Sequence, residues 1–263
     1  MALALKEKPS TGTTAGRDGA NQDAVAAARV DLAAALRLAV RFGFNEGIDN
    51  HFSLAVPGEA NRFLLNPWGL HWSEVRASDL LVVDESGALV SGRSNPEPTA
   101  FYIHSRIHRA NTRAACVLHT HMPYATALTS LSGGRLEMVT QNALRFWTEI
   151  GYDDDYNGLA LDDAEGDRIC AALDDKRILF LANHGVVVTG ENVAEAFDDL
   201  YFIERACEVQ VLAMHTGRPL RQVARAVVEA THRQIEKERK GAAALHFAAL
   251  KRILDRERSD YGD

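Results

Sequence analysis

Val117-Leu118-His119-Thr120-His121 is the stretch on which the reading of this chain turns. It ends an apolar run over residues 114–118, rich in Val, Leu and Cys, that predicts a buried strand. Side chains alternate across a strand, so histidines at i and i+2 point to one face and can offer two nitrogen ligands to one metal ion. Two polar residues where a strand leaves the core would give the same pattern. A second apolar run, Ile178-Leu179-Phe180-Leu181-Ala182, ends in Asn183-His184-Gly185. A third histidine at a strand end, followed by a glycine that lets backbone come close, favours a three-histidine site. Three protein ligands plus an open position is the pattern of a catalytic metal site, whereas structural sites are closed by four. Cys116, at an odd spacing from His119, is expected on the opposite face of the strand.

Working outward, residues 99–109 read as a helix carrying His104 and His108 at i, i+4. The Glu of an H-E-x-x-H arrangement is missing between them, so the pair reads as hydrogen-bonded or solvated rather than as metal ligands. Residues 23–42 form an amphipathic helical pattern stopped by Gly43. The polar loop Asn45-Glu46-Gly47-Ile48-Asp49-Asn50-His51 leads into an alternating strand at 52–56, a Pro57-Gly58 turn and a return strand at 62–65. A polar loop between a helix and a strand is a natural place for ligand contacts, although turn chemistry would explain the same composition. Then come a loop at 66–72, a short helix at 73–80 capped by Ser73, strands at 81–84 and 88–90, and a proline-punctuated loop at 94–98. Past the central histidines the patterns predict a short helix at 124–131, a strand at 136–140, a helix at 161–172 and a strand at 186–188. A long helix at 192–217 follows, then a helical stretch at 220–258 interrupted around Gly241-Ala242. The expected organisation is a mobile arm at 1–22, one domain at 23–240 and a helical tail at 241–263. The element order predicts an α/β sandwich around a mixed or antiparallel sheet, without strict βαβ alternation.

The chain has 263 residues, enough for one sizeable core, and a net charge of -7, which disfavours non-specific nucleic-acid binding. Its three cysteines include no C-x-x-C pair and read as free thiols in a reducing compartment, with the cytoplasm as the default. No apolar stretch is long enough to span a bilayer, and the N-terminus has no apolar core of a signal peptide. No Gly-rich phosphate motif of the P-loop or dinucleotide type is present.

His119-Thr120-His121 and Asn183-His184-Gly185-Val186, with Asn50-His51-Phe52-Ser53 and Asn66-Pro67-Trp68-Gly69, resemble the class II aldolase/adducin family. Together with the helix at 194–206 they cover residues 26–212. The resemblance implies a three-layer α/β/α sandwich around a central, mainly antiparallel sheet. It also implies one divalent metal per chain, usually zinc, and a site near a subunit boundary in a fourfold homotetramer. Carried over by position, the metal ligands are His119, His121 and His184. One departure matters. The aldolases carry a Glu ahead of the helix leading to the His-x-His strand, and alignment puts Ala100 there. Glu97 lies three residues earlier and reaches the site only if the loop around Pro96 and Pro98 takes a different path. The aldolases' phosphate-binding serines fall on Pro98 and Thr99, so a phosphorylated substrate is disfavoured and the adducin-like branch is the better match.

The expected function is a metal-dependent lyase cleaving a C–C bond beside a carbonyl, by retro-aldol cleavage or decarboxylation of a small molecule, with the metal as Lewis acid. Candidates for proton transfer are Glu97, His51, Tyr152 and Tyr261, the tyrosines equally readable as packing residues. Candidate substrate contacts are Asn50, Ser53, Asn66, Gly69 and Thr99. An adducin-like scaffold without activity is the first alternative. An iron(II) oxygenase or decarboxylase of aromatic acids is the second, since three histidines suit iron or manganese as well as zinc.

Overall fold

The computed structural model describes residues 14–111 and 113–263. Its strands are β1 (His51–Ala55), β2 (Arg62–Leu65), β3 (Leu81–Asp84), β4 (Leu89–Ser91), β5 (Cys116–Thr120), β6 (Ile150–Asp153), β7 (Ile178–Leu181) and β8 (Gly185–Gly190). They form one sheet in the order β4-β3-β2-β1-β5-β8-β7-β6. Neighbours are antiparallel except β6 and β7, so the sheet is mixed and mainly antiparallel. The helices are α1 (Thr14–Phe42), α2 (Pro98–Ala110), α3 (Pro123–Thr129), α4 (Asp163–Leu173), α5 (Val193–His215) and α6 (Arg225–Arg256).

Strand alternation sorts the helices into two outer layers. Phe52 and Leu54 of β1 and Cys116 and Leu118 of β5 pack with Leu32 and Leu36 of α1 and Phe197 and Leu200 of α5. Val117, Leu179 and Val187 point the other way, against Ile103 and Ile107 of α2 and Ile169 and Leu173 of α4. Cys116 therefore faces away from Val117 and His119, as its spacing requires. Complete burial of a leucine or phenylalanine stabilises by about 1.5–3 kcal/mol, which makes the register of the two central strands costly to shift.

Several local expectations are corrected. Helix α1 begins at Thr14, so residues 14–22 of the expected arm are helical, while residues 1–13 lie outside the described residues. Helix α6 runs without a break through Gly241, so the expected boundary at 240/241 falls inside one helix. A helical glycine costs about 1 kcal/mol against alanine. Anchors on both sides outweigh it: Arg239 is buried against Glu195 at 2.7 Å and Asp199 at 3.2 Å, and Phe247, Leu250 and Leu254 join the main core. The helix expected at 73–80 shrinks to a 3-10 turn at Ala77–Asp79, whose Ala77 and Ser78 N–H groups donate to the carbonyls of Tyr261 and Asp263. Residues 136–140 form no strand. The Glu137 N–H is taken by the Gln210 side chain of α5 at 2.7 Å. Residues 150–153, where no strand is expected, form the parallel edge strand β6. Its Gly151 sits where a Cβ would lie 2.5 Å from the Ala172 carbonyl, so only glycine lets α4 pack this closely on the sheet edge.

Candidate metal centre

The central strand holds His119 near its end and His121 just beyond it, and the turn between β7 and β8 holds His184. Asn183 makes that turn in the left-handed region, at φ 56°. Gly185 follows where a Cβ would meet the Thr120 carbonyl at 2.5 Å and His121 Cδ2 at 2.9 Å. The close approach expected of this glycine is what brings His184 beside the other two rings. Ligand-capable atoms of His119, His121 and His184 all lie within 4.8 Å of one another.

Hydrogen bonds decide which nitrogens face inward. His119 Nδ1–H donates to the Val186 carbonyl at 3.0 Å, and His121 Nδ1–H donates to Glu46 Oε2 at 2.5 Å. With the protons held on Nδ1, both Nε2 lone pairs turn toward each other, 3.2 Å apart. A separation of 3.2 Å is satisfied by one proton shared between the two nitrogens or by a cation between them. Nitrogens about 2.0–2.1 Å from a tetrahedral zinc would be separated by roughly 3.3–3.4 Å, so the donor set fits a divalent metal. Burial, reinforced by the neighbouring histidines, holds the His119 pKa well below the ordinary range and lowers that of His184 to about 4. Neutral imidazole is the form that ligates.

Beside this cluster, on the face toward α2, lies a second one. His51 Nδ1 is 2.6 Å from His104 Nε2, His104 Nδ1 meets Ser53 Oγ, and Ser53 Oγ is 2.7 Å from His108 Nε2. His108 Nδ1 ends the series on the Ala114 carbonyl at 2.8 Å, with Phe63 stacked on its ring. The i, i+4 pair on α2 is thus hydrogen-bonded within the protein. The His51 ring packs against His119 with centroids 4.8 Å apart, which joins the two clusters.

The loop around Pro96 and Pro98 brings Glu97 beside His51, outside the cluster of His119, His121 and His184. Glu97 caps α2, accepting from the Ala100 N–H at 2.9 Å and from the Thr99 hydroxyl. Its Oε2 lies 3.7 Å, and Thr99 Oγ1 3.4 Å, from His51 Nε2. Asn50 is left-handed at φ 75°; its Oδ1 accepts from the Glu46 N–H at 3.1 Å, and its buried Nδ2 has no partner. Asn66 Oδ1 accepts from the Phe52 N–H at 2.8 Å and so ties the second loop to β1. Gly69 bends that loop at φ 93° with open space where a Cβ would be. Both candidate tyrosines have hydroxyls committed outside the histidine cluster. Tyr152 OH accepts from the Leu136 N–H at 3.2 Å, and burial pushes its pKa up to about 12. Tyr261 OH donates to Asp255 at 2.7 Å and its ring joins the main core. Two neighbours carried no motif to mark them. One is Glu46, whose one sign was a carboxylate in a polar loop. The other is the exposed Tyr156, whose ring lies 6.3 Å from that of His184.

Comparison with known proteins bears on this geometry. The family described as Class II Aldolase and Adducin N-terminal domain matches residues 30–211. A Caulobacter vibrioides protein named for aldolase class 2 is 36% identical over 240 residues, spanning 90% of this chain and 92% of its own. A Streptomyces niveus protein named decarboxylase NovR is 33% identical over 228 residues, 85% of this chain and 84% of its own. The crystal structure of an aldolase II superfamily protein from Pseudomonas syringae superimposes with a TM-score of 0.86 at 35% identity, covering 91% of this chain and 96% of that one. The chain belongs to the class II aldolase/adducin family.

Proposed function

We propose that the protein is a divalent-metal-dependent lyase that cleaves a C–C bond next to a carbonyl of a small, non-phosphorylated substrate. The observation that carries this reading is the convergence of His119, His121 and His184, whose ligand-capable nitrogens lie within 4.8 Å of one another, with the His119 and His121 rings each oriented by a hydrogen bond on the far side. His119, His121 and His184 would hold the ion, and a bound metal would supply Lewis-acid stabilisation of the negative charge that develops on the substrate oxygen as the bond breaks. Zinc is the first choice for three imidazoles, with manganese and iron(II) as alternatives. Glu97 is the proton-transfer candidate best placed, because its carboxylate faces His51 and is only partly exposed. Glu46 turns His121 and stays out of the ligand set.

The preference for a non-phosphorylated substrate rests on the start of α2. A helix N-terminus binds phosphate through free backbone N–H groups. Here the first helical residue is Pro98, which has no N–H, and the Ala100 N–H is taken by the Glu97 carboxylate. The charged side chains that contact the histidines, Glu46 and Glu97, are both acidic. Homology to a protein named a decarboxylase supports C–C cleavage without distinguishing it from retro-aldol chemistry. Tyr156, Leu159 and Leu161, exposed apolar residues in the loop beside His184, fit a site near a boundary between subunits of a homotetramer.

The test is elemental analysis of protein purified without chelator, paired with His121→Ala. About one equivalent of zinc, manganese or iron per wild-type chain, lost in the variant along with turnover of hydroxylated 2-oxo acids, supports the lyase. Unchanged metal in the variant refutes the ligand assignment. A folded wild type that binds no metal and turns over none of these acids moves the protein to the adducin-like scaffold reading.

A further inference from the structure

The hydrogen bonds leading away from His51 run in one direction only. Ala114 supplies a carbonyl, which can only accept, so His108 carries its proton on Nδ1. Burial pushes the His108 pKa down to about 4, so the ring is neutral and its Nε2 is a lone pair. Ser53 must therefore give its single proton to His108 Nε2. The Ser53 oxygen can then only accept from His104, which fixes the His104 proton on Nδ1 and leaves Nε2 as a lone pair. That lone pair in turn requires a proton on His51 Nδ1. The last atom of the series, His51 Nε2, is left as an acceptor. Thr99 Oγ1 lies 3.4 Å and Glu97 Oε2 3.7 Å from it. The Thr99 proton goes to Glu97, at much the shorter distance. Among the described residues, no hydrogen-bond donor is placed on His51 Nε2 once the Thr99 proton is given to Glu97.

We propose that His104, Ser53 and His108 are positioning residues that lock His51 as its Nδ1–H tautomer, so that His51 Nε2 and the Glu97 carboxylate form a paired acceptor for a donor group such as a substrate hydroxyl. A backbone carbonyl three side chains away thus decides what the site accepts. The buried series excludes water that could scramble the proton positions, since His51, Ser53 and His104 are each under 5% exposed. The hydroxyl as occupant rests on the lyase reading; the tautomer does not. The acceptor pair suits retro-aldol cleavage, in which a hydroxyl must give up its proton, better than decarboxylation, in which none does.

The experiment is long-range proton–nitrogen correlation NMR at neutral pH on protein labelled with nitrogen-15 histidine, with assignment by single His→Gln variants. The expected result is that His51, His104 and His108 each show a protonated Nδ1 and a bare Nε2. In Ser53→Ala the His104 and His51 signals should move to averaged positions, and Ser53→Thr, which keeps the hydroxyl, should restore them. A protonated His51 Nε2 in the wild type overturns the proposal, and so do unchanged tautomers in Ser53→Ala. The spectrum is read without turnover, so loss of the lyase reading would leave this result standing, and the reverse holds too. If Ser53→Ala fails to fold, His108→Asn, which removes the Nε2 acceptor at the other end of Ser53, gives the same readout.

Discussion

Removing the Glu46 carboxylate should weaken the metal centre without touching a ligand. Glu46 fixes the His121 ring through a 2.5 Å bond to Nδ1, and outer partners of ligating histidines contribute about 10–100-fold in metal affinity. The Glu46 side chain is 63% exposed, so water can replace it, and the low end of that range applies. The expected loss in Glu46→Ala is about tenfold in zinc affinity, or about 1.4 kcal/mol. Glu46→Gln keeps an acceptor but loses the charge, and should fall between, at roughly threefold, since charge-assisted hydrogen bonds are about twice as strong as neutral ones. His119 serves as an internal control, because its Nδ1 partner is the Val186 backbone and is unchanged in both variants. The assay is competition with a chromophoric chelator at pH 7.5. A second readout is the thermal midpoint at fixed free zinc, where a tenfold weaker site loses about 1.4 kcal/mol of ligand-linked stability. Affinity of Glu46→Ala within twofold of wild type would refute the argument, as would a Gln variant weaker than the Ala variant.

Two further outcomes test the surroundings. The folded protein holds His108 neutral with a pKa of about 4 against an ordinary 6.5, so its contribution to stability is complete above pH 6.5 and is lost as pH falls toward 4. At 1.36 kcal/mol per unit this is about 3 kcal/mol, and urea midpoints of His108→Gln between pH 6.5 and 4 should fall less steeply than those of wild type; parallel slopes would count against it. Arg239→Ala leaves Glu195 and Asp199 buried with one cation fewer, and should cost about 3 kcal/mol in urea unfolding, the low end for a broken buried pair because Arg177 stays 3.3 Å from Asp199. A loss below 1 kcal/mol would mean that α6 is held by its apolar face alone.

The three-histidine cluster was legible because strand alternation and an obligatory glycine are local signals. His119 and His121 face one way whatever the rest of the chain does, and Gly185 marks a close approach. The α/β character and the antiparallel centre followed from strand-forming patterns with turns between them. What stayed hidden depends on partners distant in sequence. Glu46 is 75 residues from the His121 it orients, and nothing in its own loop marks it. The role of His104 and His108 is set by Ser53 on strand β1, so an i, i+4 spacing could say only that they share a helix face. Gly241 read as an interruption because propensity is local, while the ion pairs of Arg239 that override it are not. A phenol's capacity for proton transfer is visible in any tyrosine, but the hydroxyls of Tyr152 and Tyr261 serve Leu136 and Asp255.

The central position of β5 has a kinetic meaning as well. It pairs with β1, 68 residues earlier through His51 opposite His119, and with β8, 66 residues later through Thr120 opposite Val186. The histidine cluster therefore exists only after both long loops have closed, and such non-local pairings form slowly. In the unfolded chain, the two histidines of His-x-His are the only local fragment of the site. Metal added during refolding should leave the folding rate nearly unchanged and slow unfolding instead, acting as a latch on the finished sheet and not as a seed for it.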